Sequence, residues 1–122
     1  MSSSKPTLLI VDADPSWREL LRDFFEMNSF RVTLAGSGND AVKALGSRAD
    51  LILMDLAFSD KTGSALIQEI HQLNHEYARR ILICGNGKVP NEISHLIYSQ
   101  LPKPIALPLL LSEVTKALNP AP

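Results

Sequence analysis

The sequence predicts an α/β domain, a doubly wound five-stranded parallel sheet with helices on both faces. Strand-length apolar runs alternate five times with segments of helical period along the 122 residues. These runs, among them LLIV at 8–11 and LILM at 51–54, carry no polar alternation. Strands of that kind are buried on both faces, as a sheet wrapped by helices requires. With 45% apolar and 20% charged residues, the chain has the makeup of one globular domain able to bury a core.

TLLIVD (7–12) is the first strand, and Asp14 and Pro15 then supply an N-cap and a helix-compatible first position. Trp17, Leu20, Leu21, Phe24 and Phe25 follow at helical spacing and form one apolar face. RVTLA (31–35) is the second strand, and 37–47 a short helix burying Ala41, Val42 and Leu45. DLILMD (50–55) is the third strand, again ending in an acid. The helix at 63–74 presents Leu66, Ile67, Ile70 and Leu73 to the core.

RILIC (80–84) is the fourth strand and leads into the turn GNG; 91–97 is a weak short helix and YSQL (98–101) the fifth strand. A last helix at 107–118 buries Leu107, Leu110, Leu111, Val114 and Leu118. The whole chain reads as a single domain with tails at 1–6 and 119–122.

Composition narrows the function. A net charge of −1 gives no field for holding nucleic acid or anionic lipid. MSSSK lacks the apolar stretch of a signal peptide, and no run reaches the ~18 apolar residues of a membrane span. Cys84 is the sole cysteine, so an internal disulfide is impossible and a cytoplasmic setting is expected.

In an open parallel sheet, ligands bind at the carboxyl ends of the strands, where strand order reverses. The first strand delivers Asp12 to that edge, the third Asp55 and the fourth Cys84, Gly85 and Asn86; the fifth leads into Lys103 and Pro104. Carboxylates offer hard oxygens to Mg²⁺, a lysine neutralises phosphoryl oxygens, and an aspartate can carry a phosphoryl group as an acyl phosphate. Other candidates have simpler readings. Asp14 caps a helix, Cys84 is a small apolar strand residue, and Arg79 and Arg80 are solvated. His71 and His75 lie on a solvated helix face, and GNG lacks the spacing of a dinucleotide loop.

LLIVDADP, DLILMDLAFSDKTG, LPKP and the five β/α units, in this order, resemble the receiver domain of bacterial two-component response regulators over nearly the whole chain. The resemblance implies a flavodoxin-like fold, with Asp55 accepting a phosphoryl group from a histidine kinase or phosphotransfer protein. Lys103 would contact that group, and its bond to Pro104 is a candidate cis peptide. Asp12 would hold Mg²⁺ through water, Asp55 and the Ala57 carbonyl would bind it directly, and Gly63 matches the glycine closing the phosphoacceptor loop. A downstream protein would read the modified surface. No nucleic-acid or membrane contact is implied, and a monomer or weak dimer is expected.

Three departures qualify this. Ala13 stands where the family has a second acid that binds Mg²⁺ directly, so weak metal binding is expected. Gly85, or Cys84 if the strand is one residue shorter, stands where a Thr or Ser hydroxyl bonds the phosphoryl group. Gln100 stands where an aromatic switch turns, with Tyr98 a possible substitute. A short segment before Lys103 also truncates the fourth helix. The alternatives are a pseudo-receiver that binds its partner without phosphorylation and, more distantly, a flavodoxin-like flavin or nucleotide enzyme.

Overall fold

The structure, a computed structural model, describes residues 5–57 and 62–119. Its elements run β1 (Thr7–Val11), α1 (Pro15–Met27), β2 (Arg31–Ala35), α2 (Gly38–Ala44), β3 (Leu51–Met54) and α3 (Gly63–Leu73). After a 3₁₀ turn at His75–Tyr77 come β4 (Ile81–Cys84), a 3₁₀ segment at Asn91–Leu96, β5 (Ser99–Leu101) and α4 (Leu107–Leu118). The strands form one parallel sheet in the order β2-β1-β3-β4-β5, so the expected doubly wound topology holds. Among the described residues no helix is long and apolar enough to cross a membrane.

Two cores follow from the two-residue period of the strands. Leu9, Val11, Ile52, Met54, Ile81 and Ile83 face α2, α3 and the second 3₁₀ segment. Leu8, Ile10, Leu51, Leu53, Leu82 and Cys84 face α1 and α4. The helix ends obey local chemistry. Asp14 accepts from the Ser16 N–H at α1, Ser37 from Asp40 at α2 and Thr62 from Ala65 at α3.

The structure corrects several sequence expectations. The short helix expected at 91–97 is a 3₁₀ segment, Asn91–Leu96, so four α-helices are present among the described residues. Its only apolar anchors are Ile93 and Leu96, too few for a second amphipathic turn. Ser37 is a cap and not the first residue of α2. Leu20 and Leu73, expected on buried faces, are 48% and 58% exposed, each at the margin of its apolar stripe. Of the expected tails, Pro6 already accepts the Arg31 N–H (2.9 Å), and Asn119 donates to Thr115 at the end of α4 (3.1 Å).

Gly63 opens α3 directly against the chain leaving β3. A Cβ there would stand 2.7 Å from the Leu56 carbonyl oxygen and 2.8 Å from its Cα, both backbone atoms. Gly63→Ala is therefore expected to destabilise the fold by about 1–3 kcal/mol, the usual cost of overpacking. Urea unfolding checks it: the midpoint falls while the slope stays constant.

Candidate functional site

Ladder register brings the two acids to one edge. β1 lies between β2 and β3, with Val11 opposite both Ala35 and Met54. One residue further, Asp12 donates its N–H to the Ala35 carbonyl and Asp55 donates to the Val11 carbonyl, each at 3.1 Å. Strand order reverses between β1 and β3, so the carboxylates flank the point where such sheets bind ligands.

Asp12 is only 4% exposed, the one buried charged residue among those described. Such burial demands partners. Its Oδ1 accepts the Asp14 N–H (2.9 Å) and its Oδ2 accepts the Lys103 ammonium (2.8 Å). Asp55 repeats the pattern, with Oδ1 accepting the Ala57 N–H (3.1 Å) and Oδ2 accepting the same ammonium (2.9 Å). Lys103 thus bridges both acids, and the Trp17 ring centroid lies 5.3 Å from Nζ on a further side. Partial burial opposes the lysine charge, yet the bonds and charges of Asp12 and Asp55 outweigh it and raise the Lys103 pKa. The Lys103–Pro104 bond is cis, as the LPKP turn suggests.

Cys84 points into the core and its thiol pKa is pushed up to about 12, chiefly by burial, as befits a structural residue. Gly85 is the residue beside the acid: a Cβ there would stand 3.0 Å from both Asp55 oxygens. Of Cys84 and Gly85, the one that adjoins the acid is therefore Gly85. Ala13 is exposed and carries no donor. Part of the DLILMDLAFSDKTG stretch, residues 58–61, lies outside the described residues.

A model of the response regulator receiver domain matches residues 8–115. The chain belongs to the response regulator receiver family. It is 34% identical over 112 residues to the transcriptional activator protein PfeR of Pseudomonas aeruginosa, covering 88% of this chain and 36% of that one. Protein PetR of Rhodobacter capsulatus is 33% identical over 130 residues, covering 100% of this chain and 52% of that one. The chain thus spans about a third to a half of these relatives. Among solved structures, a CheY-like receiver from Methanospirillum hungatei superposes with a TM-score of 0.85 at 20% identity, covering 95% of each chain. Vibrio cholerae CheY4 gives 0.81 at 22%, covering 93% of this chain and 99% of that one.

Receiver domains generally bind Mg²⁺ at the phosphorylation site. The two carboxylates beside Lys103 are Asp12 and Asp55. Both described carboxylates are already bonded to Lys103 and to backbone N–H groups. Among the described residues no group of three His, Cys, Asp or Glu is placed to hold a metal.

Gln100 is tied to the turn that follows β4. The Gln100 amide donates to the Gly85 carbonyl (2.9 Å) and the Gly87 carbonyl (2.6 Å). Tyr98 does not lie beside it. It precedes β5 at the opposite end of the sheet, near Arg80 and Ala117, and packs with the α1–α4 core. Three residues gain roles that sequence reasoning missed. Trp17, expected in the core, stands over the ammonium, the Arg18 guanidinium donates to the Asp12 carbonyl (2.7 Å), and Asn86, placed at the edge with no role assigned, pairs with Lys103. For Trp17 the missed signal was an aromatic in the first helical turn after an acidic strand end.

Lys103→Met leaves two carboxylates at one edge without their shared cation, and is expected to lower stability by about 1–2 kcal/mol at neutral pH. Because the folded pKa lies above the ordinary value of 10.5, Lys103 contributes fully from neutrality up to that value and loses its contribution only above it. Chemical unfolding of both proteins from pH 7 upward checks this: the gap stays flat, then closes in strong alkali.

Proposed function

We propose that this receiver takes a phosphoryl group on Asp55 in two-component signalling and passes the signal on by a protein–protein contact. The observation that carries the proposal is the Lys103 ammonium held by both Asp12 and Asp55 at the switch point of the sheet. An Asp55 oxygen attacks the donor phosphorus; the O–P bond forms as the donor's N–P bond breaks, and the leaving imidazole takes up a proton. Lys103 then moves its attraction onto the phosphoryl oxygens.

Receiver domains interact with histidine kinases and downstream effectors, and we assign both partner classes here, in the cytoplasm. PfeR is named a transcriptional activator; with a net charge of −1 the present residues offer DNA no strong field, and the output assigned to them is a protein contact. The family match places the chain in signalling, away from the flavin or nucleotide enzyme considered from sequence.

We further propose that Mg²⁺ is held weakly, by Asp12 through water and by Asp55 and the Ala57 carbonyl directly, because Ala13 supplies no carboxylate. Incubation with a small phosphodonor such as phosphoramidate, with Mg²⁺ and intact-mass readout, tests the core reading. One added phosphoryl group is expected, lost in Asp55→Asn, and added about tenfold or more faster in Ala13→Asp as a charged metal ligand is regained. No gain in mass for either the native protein or Ala13→Asp would favour the pseudo-receiver, which the missing ligand and missing hydroxyl also suit.

The switch itself is expected to be blunted. Its two states need differential contacts, and at Gly85 and Gln100 no hydroxyl or ring offers them. A hydrogen bond to a charged group is worth about 1.5–3 kcal/mol, the same order as a typical coupling free energy of 1–3 kcal/mol. Amide NMR shifts on saturating with beryllofluoride should stay near Asp55 and Lys103. Shifts spreading through 91–111 would refute a blunted switch.

A further inference from the structure

The strand pairing of β4 with β5 stops one rung short of Lys103, and two side-chain amides take over. Cys84 lies opposite Leu101, and the Gly85 N–H donates to the Leu101 carbonyl (2.9 Å). In a parallel ladder the next bond would run from the Lys103 N–H to the Gly85 carbonyl. Instead Gly85 accepts the Gln100 amide (2.9 Å), and the Lys103 N–H donates to the Asn86 side-chain oxygen (3.1 Å). The Asn86 amide completes a two-way pair by donating to the Lys103 carbonyl (3.1 Å). Gln100 adds a bond to the Gly87 carbonyl (2.6 Å), so the segment that carries Asn86 is pinned on either side of it.

We propose that Asn86 is the positioning residue of Lys103: its side-chain amide replaces the missing backbone rung and fixes the main chain from which the ammonium reaches Asp12 and Asp55. Both polar ends of the Lys103 peptide frame are engaged by that one side chain, while its Nζ sits 2.8 and 2.9 Å from the two acids. A lysine stem has four rotatable bonds and loses much rotamer entropy when its end is fixed. Anchoring the start of the stem lowers that loss. Gln100 acts one step further back, holding the 85–87 segment so that Asn86 meets Lys103 squarely. The proposal concerns the pocket read above as the phosphoacceptor site, but its test follows the ammonium itself, so a failure to phosphorylate Asp55 leaves it standing.

The test is ¹H–¹⁵N NMR of the lysine ammonium groups near pH 6, with the Lys103 signal assigned by its loss in Lys103→Arg. An ammonium held by two carboxylates exchanges slowly with water and is visible. In Asn86→Ala its exchange is expected to quicken on the order of tenfold, as one hydrogen bond's worth of order is lost. A purely structural Asn86 would lower the melting temperature and leave that exchange rate unchanged, which would overturn the proposal. Absence of any protected Lys103 signal in the native protein would overturn it too. If Asn86→Ala does not fold, Asn86→Ser decides by the same measurement, since its shorter side chain cannot close both bonds.

Discussion

One ammonium holds the carboxyl edge of this sheet together. At an effective dielectric constant near 20, two carboxylates about 5 Å apart repel by roughly 3 kcal/mol, while each contact to a shared cation near 3 Å returns about 5 kcal/mol. The lysine's two attractions therefore exceed the single repulsion, and without it Asp12, at 4% exposure, would be an uncompensated buried charge. The features around the pocket serve this arrangement. Register sets the acids level, Trp17 closes one side of the ammonium, and Asn86 holds the main chain it springs from.

That arrangement also bears on Ala13, which is exposed beside Asp12. A further carboxylate would add repulsion that a divalent ion would have to offset, so Ala13 lightens the electrostatic load. Gly85 has a comparable logic. With Asp55 drawn to Lys103, little room remains above the acid, and a Cβ would already crowd both oxygens at 3.0 Å. Ala13, Gly85 and Gln100 are thus mutually compatible: the edge is organised around one cation and tied by amides.

Much of this was legible in the sequence, because it depends on short-range pattern. Uninterrupted apolar runs gave the strands, and their acidic ends gave Asp12 and Asp55. LPKP pointed to Lys103, and Asp14 with Pro15 to the start of α1. What escaped depends on who meets whom in space. Nothing local in Asn86 or Gln100 says that an amide will stand in for a backbone rung across 17 or 15 positions. Leu20 and Leu73 match the helical period and still face water, since period does not tell how wide the buried stripe is. Tyr98, expected to open the fifth strand, precedes it, because β5 begins at Ser99. The segment 91–97 had helical composition with too few apolar anchors to make a full helix.

The division of each strand between two cores bears on how such a chain can change over generations. Leu8 and Ile10 serve one face, Leu9 and Val11 the other, and the acid follows at the next step. Replacing one aliphatic residue by another perturbs a single neighbourhood. Inserting or deleting one residue in β1 would exchange the two faces and carry Asp12 off the edge at once. Lineages of this domain are therefore free to drift in side-chain identity along the strands but not in residue count, and length variation must collect where no register is kept, such as the stretch between β4 and β5.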